Sequence, residues 1–237
     1  MSEAPPWAAT AGAVISQRKL TKKDAEVRAE WWRRKPWPCV ALAVDPGATA
    51  GAAVLSPRGD TAVQVVKTFT VDTSTLEVEE VLNTARAVAD DLRLPLVLVL
   101  ESWGAGGMRG IDQWLGLGAS VGAWTRAWAL RWRAEACEEE AARRVMKRNA
   151  VARIPMTTWR SWMVDSTGTV DAAGVFTRHD SVGWKRAATA TIAEKWPDIR
   201  EIDGADAAEA TLMGIYSMRS EAVGKLLSAT HLKKHGF

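Results

Sequence analysis

The chain has 237 residues, 47% of them hydrophobic and 25% charged, a composition that fits a folded domain with a real core and excludes a largely disordered chain. Two widely spaced cysteines exclude a disulfide scaffold, and no apolar run approaches the roughly 20 residues of a membrane span. A formal charge of +3 permits a polyanionic partner without demanding one.

Residues 1 to 14 are rich in Ala and Pro and are expected to be disordered, and nothing in them matches a secretory signal. Leu20 to Trp32 reads as a helix with Thr21 as its N-cap, stopped by Lys35-Pro36-Trp37-Pro38. From Arg18 to Lys35 eight basic residues face three acidic ones, with Trp31 and Trp32 among them, so the stretch is either a solvated docking edge or a nucleic-acid or partner-binding arm. Cys39 to Val44 is a continuous apolar run that ends in Asp45-Pro46-Gly47, the pattern of a buried strand entering a turn. Ala50 to Leu55 and Thr61 to Val71 follow as further strands around Pro57-Arg58-Gly59-Asp60, which predicts an antiparallel meander.

Ser74 and Glu77 form a capping box for a helix that runs to Leu92. Pro95 to Leu100 is apolar on both faces and ends at Glu101, so it predicts a central strand covered by helices. A glycine-rich loop, the helix Ile111 to Trp132 and a charged helical continuation from Glu135 to Arg148 come next. Val151 to Pro155 reads as a short strand, Thr158 to Met163 as a short Trp-rich helix, and Asp165 to Asp180 as a loop or insertion. Ser181 to Trp196, with Ser181 as its N-cap, and the Ala-rich Asp203 to Met218 are the last predicted helices, followed by a basic, weakly patterned tail beyond Glu221.

The acidic residues stand where burial should disfavour them. Asp45 closes one buried strand, Glu101 closes another, and Asp203 and Asp206 open the Ala-rich helix three residues apart, on one face. Asp45 alone can be a turn-former, and Asp203 a helix cap, but a six-residue apolar strand ending in a carboxylate is hard to explain structurally. If the strands are neighbours and the helix crosses them, four carboxylates meet and require cations. Magnesium suits such hard oxygen ligands, and two ions about 4 Å apart can drive phosphodiester hydrolysis.

These residues carry a resemblance. Ala-Leu-Ala-Val-Asp45-Pro46-Gly47-Ala-Thr-Ala-Gly51, Leu-Val-Leu-Glu101 and Asp203-Gly-Ala-Asp206-Ala-Ala-Glu-Ala, in that order, resemble the RuvC family of Holliday junction resolvases over roughly Cys39 to Arg219. The resemblance implies an α/β, RNase H-like fold: a mixed five-stranded sheet, three antiparallel strands then parallel ones, with helices on both faces. It implies a crossover junction endodeoxyribonuclease of DNA recombination and repair, with Asp45, Glu101, Asp203 and Asp206 as catalytic metal ligands. Two Mg2+ ions per site, replaceable by Mn2+, and a homodimer nicking a four-way DNA junction follow from the same likeness. On that likeness Lys185 and Arg186 are either phosphate contacts or a solvated helix face, Arg109 is a weaker DNA-contact candidate, Trp103 either stacks on an unpaired base or packs in the core, and the helix carrying Leu115 to Gly118 resembles the family's helix near the dimer interface.

The expected division is a basic extension over 1–36, a nuclease domain over 37–220 with an insertion around 135–180, and a basic tail over 221–237. The extension and the insertion depart from the compact bacterial enzymes, which fits a divergent or phage-encoded relative. No membrane partner is expected, and the setting is cytoplasmic and nucleoid-associated, with an organellar address left open. The competing readings are another RNase H-like nuclease acting on a different branched or hybrid substrate and a non-catalytic junction-binding module. Weaker ones are an actin-like or sugar-kinase phosphate binder, suggested by Asp45 to Thr49, and a dinucleotide site at Gly104-Ala-Gly106.

Overall fold

The computed structural model describes residues 15–17, 22–73, 77–102, 111–135, 151–164, 166–170, 173, 175–199, 201–227, 233–234 and 236. The apolar run before Asp45 forms strand β2 (Val40–Asp45), which turns at once into β3 (Thr49–Arg58) and then β4 (Ala62–Asp72). Both pairings are antiparallel, β2 on β3 and β3 on β4. After helix α2 (Glu77–Leu92), strand β5 (Leu96–Ser102) lies parallel to β2, and β6 (Ala152–Pro155) lies parallel to β5. The sheet order is therefore β4-β3-β2-β5-β6. This is the RNase H-like arrangement that the resemblance implies, with the antiparallel meander and the buried strand that the apolar runs predict. β2 and β5 are central and buried on both faces, the reason both read as continuous apolar runs.

Each face of the sheet has its own core. On one, Val40, Leu42, Leu98 and Leu100 meet Val78, Val81 and Leu82 of α2 and Trp124 and Trp128 of α3 (Ile111–Glu135). On the other, Ala41, Ala43, Val97 and Val99 meet α4 (Met156–Met163), α5 (Ser181–Lys195) and α6 (Gly204–Ser217). Almost every residue of α6 from Ala207 to Ser217 is buried, because it lies flat on β2 and β3 with α4 and α5 over it. Its small residues make the approach possible: a Cβ on Gly214 would stand 2.3 Å from Leu55 Cδ1 and 3.0 Å from the Ala43 Cβ. Burying Leu212, Met213 and Ile215 there stabilises the fold by about 2 kcal/mol each.

The basic N-terminal helix, α1 (Lys22–Arg33), docks through its aromatic end. Trp31 stacks on Tyr216 with ring centroids 5.2 Å apart and lies 5.3 Å from Trp162, while Trp32 reaches Trp196 at 5.7 Å. The buried Arg219 side chain places its guanidinium 5.7 Å from the Trp31 ring and 5.5 Å from that of Trp32, and donates to the carbonyls of Arg34 and Thr61. Trp31, Trp32 and Trp162 are thus mortar between α1, α4 and α6. The docking edge is the role of this helix that the contacts support.

Two local expectations are corrected. The segment from Asp165 to Asp180, expected as a loop, contains β7 (Ser166–Val170) and β8 (Phe176–Arg178), which with β1 (Ile15–Gln17) make a separate three-stranded sheet in the order β1-β7-β8. The strands are three to five residues long and β1 pairs with a segment some 150 residues away, so no local pattern announces them. The cap of α5 is Asp180 rather than Ser181: its carboxylate accepts from the Gly183 N–H at 2.7 Å. A last short helix, α7 (Glu221–Gly224), opens the tail. The expectations for residues 1–14, Thr21, Ser74, the glycine-rich loop and 136–148 fall outside the described residues. Among the described residues no helix is long and apolar enough to cross a membrane.

Candidate active site

The site forms where the two central strands end. Val44 pairs with Leu100 across the parallel β2–β5 ladder, so Asp45 and Glu101, one residue further along, stand side by side. On the opposite side of β2, Asp45 pairs with Gly51 of β3. Gly51 is required there, because a Cβ would lie 2.0 Å from the backbone carbonyl of Asp206 and 2.5 Å from the Ala207 nitrogen. The missing side chain lets the first turn of α6 settle onto the strand beside Asp45.

That turn delivers Asp206 and, three residues on, Glu209. One carboxylate oxygen from each of Asp45, Asp206 and Glu209 lies within 4.8 Å of the others. Glu101, only 2% exposed, joins from the side: its Oε1 accepts from the Trp159 indole N–H at 2.8 Å, and it shares a hydrogen bond with Asp45. Two cations close the arrangement. Lys185 of α5 pairs with Asp206, and Arg160 of α4 pairs with Glu209.

The electrostatics follow from this crowding. Burial, then the Glu101 charge and hydrogen bond, push the Asp45 carboxyl well above the usual carboxylate range. Glu101 is also raised by burial, though Arg160 and the Trp159 hydrogen bond draw it back down. Glu209 is pushed up to about 7, mainly by burial and by the Asp45 charge. Oxygen-only donors, close together and poorly compensated, are the chemistry that a hard divalent ion satisfies, so the donor set fits magnesium or manganese.

Of the residues singled out in the sequence, Asp45, Glu101, Asp206 and Lys185 come together here. Asp203 stands apart from the cluster: its carboxylate accepts from the Thr70 N–H at 2.6 Å and its own N–H donates to Thr68 Oγ1 at 2.9 Å, tying the start of α6 to β4. Gly204, at φ +85°, makes the bend from that tether into the helix. Arg186 is exposed on α5. Trp103 and Arg109 lie outside the described residues. Sequence reasoning missed Glu209, Trp159 and Arg160. Glu209 had a signal: it stands three residues after Asp206, on the face that Asp203 and Asp206 share. Arg160 had only its position beside Trp159 in a short helix.

No family model matches the sequence, and no curated protein matches it either. Among solved structures, the chain is similar to Thermus thermophilus RuvC, described in complex with a Holliday junction substrate. That match has 14% identity and a TM-score of 0.47 and covers 78% of this chain and 96% of that one. A second structure of Thermus thermophilus RuvC gives 16% identity, a TM-score of 0.46 and the same two coverages, 78% and 96%. The yeast mitochondrial Holliday junction resolvase Ydc2 gives 11% identity and a TM-score of 0.42 over 86% of this chain and 89% of that one.

Proposed function

We propose that this protein is a metal-dependent, structure-selective endodeoxyribonuclease that resolves four-way DNA junctions by paired phosphodiester hydrolysis. The observation that carries the reading is the meeting of Asp45, Asp206 and Glu209 within 4.8 Å at the ends of the central strands, with Glu101 alongside. The order of the sequence motifs, and their resemblance to RuvC-type resolvases, narrows that chemistry to junctions.

In this reading Asp45, Asp206 and Glu209 would hold Mg2+ or Mn2+, and Glu101 completes the acidic wall. The resemblance adds Asp203, whose tether to β4 would have to loosen for it to join. Bound there, the ions supply a polarised water and neutralise charge on the scissile phosphate, with two ions as the fuller form of the proposal. The protein's own part is to fix the acceptor oxygens and to offer Lys185 to a phosphate oxygen. Lys185 suits that task because its side chain is 37% exposed at the mouth of the cluster. Arg186, next to it and exposed, is the second phosphate contact. For a homodimer, the helix α3, which carries the exposed Leu115 and Leu130, is the candidate contact.

The test is incubation of the protein with a synthetic four-way junction, a matched linear duplex and an RNA/DNA hybrid, in Mg2+ or EDTA, beside Asp45→Asn. Mg2+-dependent paired nicks confined to the junction and absent in the variant are expected. Cleavage of the duplex or hybrid instead keeps the metal centre and overturns the substrate, and junction binding without any cleavage leaves a non-catalytic module.

A further inference from the structure

We propose that Arg160 is a positioning residue that fixes the Glu209 carboxylate in the orientation in which it meets those of Asp45 and Asp206. The inference rests on the metal-site reading above and adds to it the group that sets the geometry of one ligand.

Two short stretches of chain face the carboxylates from above the sheet, and each presents an aromatic residue followed by a cation. On α4 these are Trp159 and Arg160; on α5 they are Trp184 and Lys185. The two cations are not equivalent. Lys185 is more than a third exposed, on a flexible stem, and reaches Asp206 from the solvent side. The Arg160 side chain is 13% exposed, and its partner Glu209 is 3% exposed. Its guanidinium lies 5.3 Å from the Trp159 ring of its own helix and 5.1 Å from the Trp184 ring of α5, so the two helices together hold the planar group in one place. Among the described residues its buried Nε–H has no hydrogen-bond partner. The position of the guanidinium is thus set by the two rings and by its bond to Glu209.

A group held this way orients rather than binds. To touch a phosphate on incoming DNA, Arg160 would have to leave both rings and abandon a buried carboxylate, whereas Lys185 already faces outward. One donor of its planar group holds Oε1 of Glu209, the carboxylate that meets those of Asp45 and Asp206. Trp159 does the same for Glu101 through its indole N–H, so two adjacent residues of α4 set two of the four carboxylates.

The experiment is titration of the full-length protein with Mn2+ alone, followed by calorimetry, comparing wild type with Arg160→Met and Arg160→Lys. Junction binding in EDTA is measured in parallel. Met keeps the stem between the rings and removes the donors, so it should weaken Mn2+ binding about 10- to 100-fold while junction binding in EDTA is unchanged. Lys restores the charge without the planar fork and should recover only part of the affinity. Unchanged or tighter Mn2+ binding by Arg160→Met overturns the proposal, as does loss of junction binding with Mn2+ affinity intact, which would make Arg160 a phosphate contact. If the Met variant does not fold, the Lys variant decides: weaker Mn2+ binding sustains the proposal, and wild-type affinity overturns it. A wild-type protein that takes up no Mn2+ overturns the metal reading and this inference with it, an outcome distinct from failure of the variants alone.

Discussion

Asp45 and Glu101 stand side by side, one residue past the Val44–Leu100 pair of two adjacent parallel strands, and share a hydrogen bond; burial raises both carboxyls, and the Glu101 charge raises Asp45 further. With Glu209 pushed up to about 7, the metal-free cluster is partly protonated near neutrality. A cation must displace those protons. Mn2+ affinity should therefore climb steadily between pH 6 and pH 8, with proton release on binding. Titration calorimetry in buffers of different ionisation enthalpy measures both; pH-independent affinity without proton release would contradict the raised Glu209 carboxyl.

The same groups set a stability profile of opposite sign. Carboxyls whose folded values lie above their unfolded ones contribute stability that is fully present below the unfolded values and is lost as pH rises through the folded ones. For Glu209 that window runs from 4.5 to about 7. In EDTA the melting temperature should fall from pH 5 to pH 8, and Mn2+ should restore it at pH 8. Glu209→Gln, which mimics the protonated form and keeps an oxygen for Arg160, should stabilise the EDTA form at pH 8 by about 2 kcal/mol. Differential scanning calorimetry checks the sign.

Asp206→Asn should abolish cleavage yet keep or strengthen junction binding, because it removes negative charge where a phosphate approaches. Gel-shift and nicking assays on one preparation separate the effects. Cleavage at the wild-type rate would remove Asp206 from the site.

Gly51→Ala tests the seat of α6. The added methyl would meet the Asp206 backbone at 2.0 Å, so the helix start must move away from Asp45. A loss of about 1–3 kcal/mol in urea unfolding is expected, with weaker Mn2+ binding by the folded fraction.

Arg219→Met probes the far end of the same helix. It strands the carbonyls of Arg34 and Thr61 and removes the cation from between Trp31 and Trp32, so about 2–3 kcal/mol should be lost. Junction cleavage at low temperature should persist, since Arg219 belongs to the docking of α1 and touches none of the four clustered carboxylates.

The parts of this architecture legible in the sequence are those that local physics determines. β2 and β5 had to be buried strands because runs such as Leu96 to Leu100 have no polar face to expose, and a carboxylate ending such a run had to have a special neighbour. Glu209 escaped because glutamate is an ordinary helix residue, and only the burial of Ala207, Ala208 and Ala210 around it reveals that no solvent side exists. Trp159 and Arg160 were illegible because their meaning depends on α5 and α6 arriving above β2 and β5. Asp203 looked equivalent to Asp206 by spacing, yet Thr68 and Thr70, over 130 residues earlier, divert it to the sheet edge.

The pairing of Ile15 with Thr169 also dictates a timetable. During synthesis the first strand emerges long before the segment that completes its ladder, so it must wait, unpaired, while the central sheet is assembled behind it. Closing so long a loop is entropically slow, and the small sheet should be among the last pieces to form and the first to open. Hydrogen exchange at Ser166 to Val170 should thus run ahead of exchange in β2 and β5. A protease that removes the first seventeen residues would leave a central sheet intact and a β7 that has lost one of its two neighbours.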